Sequence, residues 1–495
     1  MTAQTAQKQG SQKKVKTAVT PTREENFPEW YQNVIKAADM AENAPVRGCM
    51  IIKPYGYAVW ELFQRELDDR IKNEGVKNAY FPLLIPLSYI AKEAEHIDGF
   101  AKECAVVTHH RLEAAPDGKG LVPAGELAEP MIIRPTSETI IGETIAKWVN
   151  SYRDLPLKLN QWANVMRWEM RPRLFLRTAE FLWQEGHNAF ATAEEANADA
   201  RRMLEVYAEF SRNVMAIPVF EGEKTPEERF PGASATYTIE AVLQDGKALQ
   251  SGTSHDLGQT FSRSANIRYQ SAEGGEEFAW TTSWGMSSRM IGGLIMTHGD
   301  DDGMRMPPKV APHHVIIIPI IHDDADRAKI LDYAETLARR LKNQSIRVDL
   351  DASDKKTPDK LWGSIKQGVP VRVEIGRREM EEGNITHTRR DIGRDSKTTE
   401  SVDAFCNKIT TILDEMQTGM YQQALKRTES MVHDVKTLDE AHQFFAAKDS
   451  IGQVRFDAAF LQEEAFEKLM QEFSVTPRCL PFADDGKKVI VGKAY

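Results

Sequence analysis

Two sets of arginine and glutamate carry most of the chemistry legible in this chain. Arg167-Trp168-Glu169 puts a guanidinium and a carboxylate two residues apart, so on a strand both would face one side. Arg177, Phe181 and Glu185 follow at spacings of four. Arginine grips phosphate with paired donors, and a phenyl ring offers a stacking face to a planar base. Taken singly these are surface ion pairs and a core Phe. Taken together they describe an anion site beside an aromatic slot. Upstream, Thr136-Ser137-Glu138 reads as a helix N-cap with an acid in the first turn, and such a helix start presents a hydroxyl and a carboxylate to any ligand placed before it. His187 and His255 each sit in a Gly-containing segment. Asp300-Asp301-Asp302, between Gly299 and Gly303, reads as a solvated acidic turn, and no residue is assigned to a metal.

The elements that must position these groups follow from periodicity. After Pro54-Tyr55-Gly56, the residues Trp60, Phe63, Leu67 and Ile71 share one helical face. Tyr80-Phe81-Pro82-Leu83-Leu84-Ile85-Pro86 is strand-like, and its prolines suit an edge or a contact surface. Met131-Ile132-Ile133 reads as a strand. It leads into a helix capped by Thr136 or Ser137 and carrying Ile140, Ile141, Ile145 and Trp148. Residues 194–213 predict a helix, 278–283 a strand and 285–296 another helix. Strands predominate around the polar motifs, which predicts a mostly antiparallel sheet with helices packed on it. Pro307, Pro308 and Pro312 mark a boundary. Beyond it come an apolar strand at 315–321, an amphipathic helix through Ala328, Leu331, Ala334, Leu337, Ala338 and Leu341, and alternation at Ile346, Val348, Leu350 and at Val371, Val373, Ile375. That pattern predicts a βαβ domain. Residues 402–448 read as helical, with Gly419 the only breaker, and a mixed module closes the chain. The divisions are a disordered tail at 1–22, a first large domain at 23–306, a second domain at 307–410 and a C-terminal helical and mixed α/β module at 411–495.

Composition bounds the rest. The 495 residues provide for several cores, and 41% apolar with 27% charged residues is ordinary for a globular chain. No apolar run reaches the ~18–20 residues of a membrane helix. The first 22 residues lack the apolar stretch of a secretory leader. A net charge of −10 excludes a globally basic nucleic-acid coat protein but not local basic patches. Four widely spaced cysteines, Cys49, Cys104, Cys406 and Cys479, give no disulfide framework and fit a reducing cytoplasm.

The motifs in their order resemble the prolyl branch of the class II aminoacyl-tRNA synthetases, of the archaeal and eukaryotic-like type without an editing insertion. The resemblance rests on Lys53-Pro54-Tyr55-Gly56 leading to Tyr80-Phe81-Pro82, on Arg134-Pro135-Thr136-Ser137-Glu138, and on Arg167-Trp168-Glu169 through Trp183-Gln184-Glu185-Gly186-His187. Gln250-Ser251-Gly252-Thr253-Ser254-His255 and Ser283-Trp284-Gly285-Met286-Ser287-Ser288-Arg289 complete it. Ser288 before Arg289 departs from the general class II pattern and suits the prolyl branch. The implied fold is an α/β multidomain chain: an α+β catalytic core with an antiparallel sheet flanked by helices, a βαβ anticodon-binding domain and a small C-terminal α/β module. The implied reaction joins L-proline to tRNA(Pro) through prolyl-adenylate, using ATP with Mg²⁺. Arg167, Glu169, Arg177, Phe181, Gln250, Thr253 and Arg289 would bind ATP, with Arg167 and Arg289 catalytic. Thr136, Glu138, Arg167, Trp183, Glu185, His187 and His255 would hold proline. Glu374 and Arg389 are candidates for reading the anticodon guanines, backed by a basic cluster of Arg372, Arg377, Arg378, Arg389, Arg390 and Arg394. A homodimer joined through residues 57–86, including Pro82, is implied, with Tyr495 approaching the site. No structural zinc is expected, since Cys479 alone cannot make a four-ligand site. The alternatives are a threonyl- or glycyl-specific relative and a non-catalytic tRNA-binding paralogue.

Overall fold

A computed structural model of the chain describes residues 17–92 and 103–495. Of the expected tail, residues 1–16 lie outside the described part. Residues 17–22 are packed rather than loose. Val19 is buried in the main core and donates its N–H to the Asp301 carbonyl, and Ala18 donates to the Asp302 carboxylate at 3.1 Å.

An 11-stranded sheet organises the molecule. Its middle runs, in spatial order, Phe220–Glu223, Ala235–Val242, Ala248–Gly258, Trp280–Ser287, Glu180–Phe190, Leu157–Met166 and Lys77–Asn78. All these neighbours are antiparallel except the last pair. Alternation along each strand gives the sheet two different faces. On the back face Gln184, Gly186, Trp284 and Met286 meet the helix Ala193–Asn213, whose Tyr207 packs edge-on to Trp284 and hydrogen-bonds Gln184. That helix starts at a Thr192–Glu195 capping box, in which each side chain bonds the other's backbone N–H. The helices Phe27–Ala37, Pro54–Asn73 and Arg289–His298 complete this core, and Trp60, Phe63, Leu67 and Ile71 are all buried as their spacing predicts. On the front face, the helix Glu138–Trp148 lays Ile141 and Ile145 against Leu159 and Ala189. The central part of that face is left open.

Several boundaries differ from the sequence reading: the strand Val432–Asp434 interrupts the stretch 402–448 read as helical, and of 80–86 only Leu84–Pro86 is strand. Residues 285–287 close the strand Trp280–Ser287 rather than open a helix, because Gly285 and Ser287 pair with Glu185 and Trp183. Gly419 lies inside the unbroken helix Val402–Ser430, so the division at 410 falls within one element. The first half of that helix packs Phe405, Ile409 and Met416 on the second domain. Farther along, Gln417 donates to the Val214 carbonyl at 3.1 Å and Arg427 to the Thr297 carbonyl at 2.6 Å.

The second domain is a five-stranded sheet in the order Val348–Leu350, Val315–Pro319, Val371–Ile375, Asn384–Arg389, Thr398–Ser401. The first three strands are parallel and the last two antiparallel to their neighbours. Val371, Val373 and Ile375 point to the helix Asp324–Lys342, as their alternation predicts. The C-terminal strands Thr476–Pro481, Lys488–Gly492, Gln453–Asp457 and Val432–Asp434 do not form a free-standing module. They continue the central sheet outward, through Leu480 and Pro481 paired with Glu223 and Gly222.

Candidate active site

The open front face is the floor of a cavity of about 460 Å³. Register places its polar side chains in rows across the strands. Thr236, His255, Ser283 and His187 make one row; Thr238, Thr253, Gly285, Glu185 and Gln161 make the next. The helix start above contributes Thr136 and Glu138, and Ser283 Oγ donates to Glu138 Oε1 at 2.9 Å. Arg289, first residue of its helix, closes one end and donates from Nε to the Leu176 carbonyl at 3.1 Å.

Glu185 is the hub of the floor. Its carboxylate accepts from Ser137 N–H at 3.1 Å and from the Gln161 amide at 3.1 Å, and it meets His187 Nε2 at 3.0 Å. Burial pushes the Glu185 carboxyl up, but the His187 and Ser137 hydrogen bonds outweigh it and hold the group below its ordinary range. The reverse holds for His187: burial lowers it, while the Glu185 hydrogen bond and charge raise it above its ordinary value. Both shifts run in the direction that favours an imidazolium on a carboxylate. Glu138 is raised, chiefly by burial, against the pull of His187 and Ser283. His255 behaves oppositely to His187. Burial, with His187 beside it, drops it to about 3, so it is neutral. It shares a 3.0 Å hydrogen bond with Thr236 and lies against Phe230.

Arg167 and Glu169 do not share a strand face, because the strand ends at Met166. Arg167 instead turns inward, donating from Nε to the Pro135 carbonyl at 3.0 Å and lying over Phe181 and Trp183, 5.7 and 5.4 Å from their centroids. Burial lowers its pKa, opposed by Glu138 and Glu185. Burial also lowers Arg289, to about 10, with Arg177 and Arg167 adding repulsion. Cations crowded into a buried cleft favour an anionic ligand. Glu169 accepts from Arg171 N–H at 2.7 Å and pairs with Arg177 at 3.5 Å. Trp183 Nε1–H is buried without an acceptor among the described residues.

The cavity thus gathers Thr136, Glu138, Arg167, Glu169, Arg177, Phe181, Trp183, Glu185, His187, Gln250, Thr253, His255 and Arg289. Sequence reasoning missed Lys224, Arg229, Thr236 and Ser283, which also line it. Ser283 stands in a quoted motif, but only the register beside His187 and His255 reveals its place.

Comparison with known proteins gives the family. Residues 124–298 match the family model "tRNA synthetase class II core domain (G, H, P, S and T)", and residues 314–412 match "Anticodon binding domain". The chain is 55% identical to a proline–tRNA ligase of Bdellovibrio bacteriovorus, over 96% of this chain and 97% of that one. It is 53% identical to the proline–tRNA ligase of Paramagnetospirillum magneticum, over 95% of each. The crystal structure of prolyl-tRNA synthetase from Cryptosporidium parvum, complexed with halofuginone and AMPPNP, superimposes with a TM-score of 0.87 at 34% identity, covering 97% of this chain and 99% of that one. The chain belongs to the proline–tRNA ligase family.

Proline–tRNA ligase candidates outside the cavity fare differently. Glu374 and Arg389 lie on adjacent strands but three positions apart, since Glu374 pairs with Thr386 and Arg389 with Val371. Both are engaged: Glu374 by Arg372 and Lys397, Arg389 by Asp391 and Glu415. The expected basic patch is weaker than its arginine count. Arg372, Arg377, Arg378, Arg389 and Arg390 each carry a carboxylate partner. The acidic turn is likewise not simply solvated, because Asp300 grips Arg390 and Asp301 grips Arg23. Tyr495 is outside the cavity lining and hydrogen-bonds Asp245 at 2.6 Å. Cys479 is buried beside Glu240, and burial pushes its thiol far up. Among the described residues no group of three His, Cys, Asp or Glu is placed to hold a metal ion.

Proposed function

We infer that this chain activates L-proline with ATP to prolyl-adenylate and transfers the prolyl group to the 3′ end of tRNA(Pro). The observation that carries this is one floor with two chemistries. A carboxylate end, Glu138 with Glu185–His187, adjoins a cationic end, Arg167 with Arg289. A secondary ammonium suits Glu138, with Thr136 accepting its second proton. Trp183, His187 and His255 enclose the ring, and neutral His255 adds no repulsion there. The pyrrolidine carboxylate and the α-phosphate both meet Arg167, which aligns nucleophile and phosphorus for in-line attack. Phe181 and Arg289 take the adenine faces, Glu169 holds the adenosine end, Arg177 lies over the nucleotide, and Gln250 and Thr253 stand near the ribose and phosphates. Magnesium accompanying ATP would screen phosphate charge, and no side chain of the chain is assigned to hold it.

The anticodon assignment to Glu374 and Arg389 requires each to exchange a carboxylate or ammonium partner for a guanine edge. A homodimer through residues 57–86 is supported by exposed Tyr80 and Leu84 beside the sheet edge Lys77–Asn78. Light scattering tests it, with twice the monomer mass expected. Among the described residues no helix is long and apolar enough to cross a membrane, and we place the chain in the cytoplasm, where its unpaired thiols stay reduced.

The deciding experiment is ATP–pyrophosphate exchange across the standard amino acids, for wild type and Arg167→Ala. We expect strong exchange with proline, weaker exchange with alanine, and loss in the variant. A pocket loses only ~1–3 kcal/mol per missing methylene, so alanine enters. Binding of tRNA with no exchange for any amino acid would overturn the reading in favour of a non-catalytic paralogue.

A further inference from the structure

Behind one wall of the cavity, and reaching its lining through Lys224, lies a buried charge cluster that the reading above does not use. Glu240 accepts from Lys224 Nζ at 2.8 Å through Oε1, and from Arg478 Nη2 at 3.0 Å and Nε at 3.2 Å through Oε2. Thr238 adds a hydroxyl donor to Oε1 at 3.0 Å. The side chains of Lys224, Glu240 and Arg478 are 3%, 2% and 9% exposed. One carboxylate thus holds two cations out of water, which leaves an excess positive charge. Such an excess is costly unless an anion completes it.

Lys224 lines the cavity together with Gln250, Thr253 and Arg289. Beside it, the Arg229 Nε–H and the Thr225 hydroxyl are buried without partners among the described residues, and Arg229 also lines the cavity. The excess charge at Lys224 and the unmet Arg229 Nε–H, whose guanidinium also pairs with Glu223 at 2.9 Å, stand on one stretch of the lining, and both call for an oxyanion. Arg478 arrives from the C-terminal strand Thr476–Pro481, more than two hundred residues beyond Glu240, so the C-terminal strands reach the carboxylate that anchors Lys224.

We propose that Lys224 binds a phosphate oxygen of a substrate, and that Arg478 is a positioning residue which, by sharing Glu240, keeps the Lys224 ammonium from being neutralised by that carboxylate alone. The proposal rests on the ligase reading. The phosphate comes either from the ATP polyphosphate or from the 3′-terminal phosphodiester of tRNA, and two assays separate them. Proline-dependent ATP–pyrophosphate exchange needs no tRNA; aminoacylation needs both.

The test compares full-length wild type with Lys224→Met, Lys224→Arg, Arg478→Lys and Arg478→Met in both assays. If the phosphate is ATP's, Lys224→Met raises KM for ATP and pyrophosphate in exchange by roughly ten- to hundredfold, the scale of one charge-assisted hydrogen bond. KM for proline stays unchanged, and Lys224→Arg recovers most of the loss. If the phosphate is tRNA's, exchange is intact and KM for tRNA rises instead. Arg478→Met shifts the same constant as Lys224→Met, with Arg478→Lys intermediate. A drop in unfolding midpoint with unchanged KM values, or an equal rise in KM for proline, would overturn the proposal. Should Arg478→Met fail to fold, the Lys224 pair still decides. Absence of exchange in wild type would instead count against the ligase reading itself.

Discussion

At the scale of single residues, the Glu185–His187 pair makes a pH-dependent prediction whose sign is fixed by the two shifts. His187 is raised above its ordinary 6.5. Its contribution to stability is complete below about 6.5 and is lost as pH rises through the folded value. Glu185 is held below its ordinary 4.5, so its contribution is present above about 4.5 and is lost as pH falls through the folded value. The pair is strongest between those limits and weakens on the alkaline side. Glu185→Gln keeps an acceptor for Ser137 but removes the charge. We expect it to shift the His187 titration, followed by NMR, to lower pH and to flatten the alkaline fall in unfolding free energy. An unshifted titration would show that Glu185 does not set the imidazole's charge. This pair was partly legible in the sequence, where both residues stand in the Gln184-Glu185-Gly186-His187 segment. Their partners, the Ser137 N–H and the Gln161 amide, were not, since only the fold brings those groups within 3.1 Å of the Glu185 carboxylate.

At the scale of elements, Gly186 shows how the sheet keeps its two faces apart. Between Glu185 and His187 it faces the helix side, and a Cβ built there would collide with the six-membered ring of Trp284. The clash involves a ring that is itself locked against Tyr207, so it has nowhere to move. Gly186→Ala should destabilise by about 1–3 kcal/mol or more, the usual cost of overpacking. Urea unfolding measures this, and the accompanying loss should be in kcat, since the site-facing residues on either side are displaced together. Unchanged stability would mean that the Trp284 ring is free to swing away. Periodicity made the regular elements legible, as in the alternating strand Val371–Ile375 and the helix over Ala193–Asn213. It misplaced 285–287, whose strand character comes from pairing with Trp183 and Glu185. It also overstated Gly419, because a glycine costs a helix only ~1 kcal/mol, which the packing of a 29-residue helix absorbs.

At the scale of the whole molecule, the least legible feature is how the parts are fastened, because each fastening joins residues far apart in sequence. Asp300 was read as one of three solvated acids. In the fold it follows the helix Arg289–His298 and grips Arg390 of the second domain at 2.6 and 2.7 Å, while its backbone carbonyl accepts from Trp30 Nε1. Arg390 also donates to the Ile365 carbonyl, and Arg305 reaches the Asp391 carbonyl, so four segments converge on one junction. The helix that ends there begins with Arg289 at the cavity, and Arg390 immediately follows Arg389, an anticodon candidate. The junction therefore fixes the angle at which a tRNA held by the second domain would offer its 3′ end to the cavity. Making prolyl-adenylate does not depend on that angle; charging tRNA does. Asp300→Asn and Arg390→Met should each lower kcat/KM for tRNA while leaving proline-dependent exchange near wild type. Their double-mutant cycle should show a coupling of about 1–3 kcal/mol in unfolding free energy, the range for residues in direct contact. Additive stabilities would mean that the ion pair contributes nothing to the junction. An equal loss of exchange would mean that the junction acts through Arg289 on adenylate formation itself.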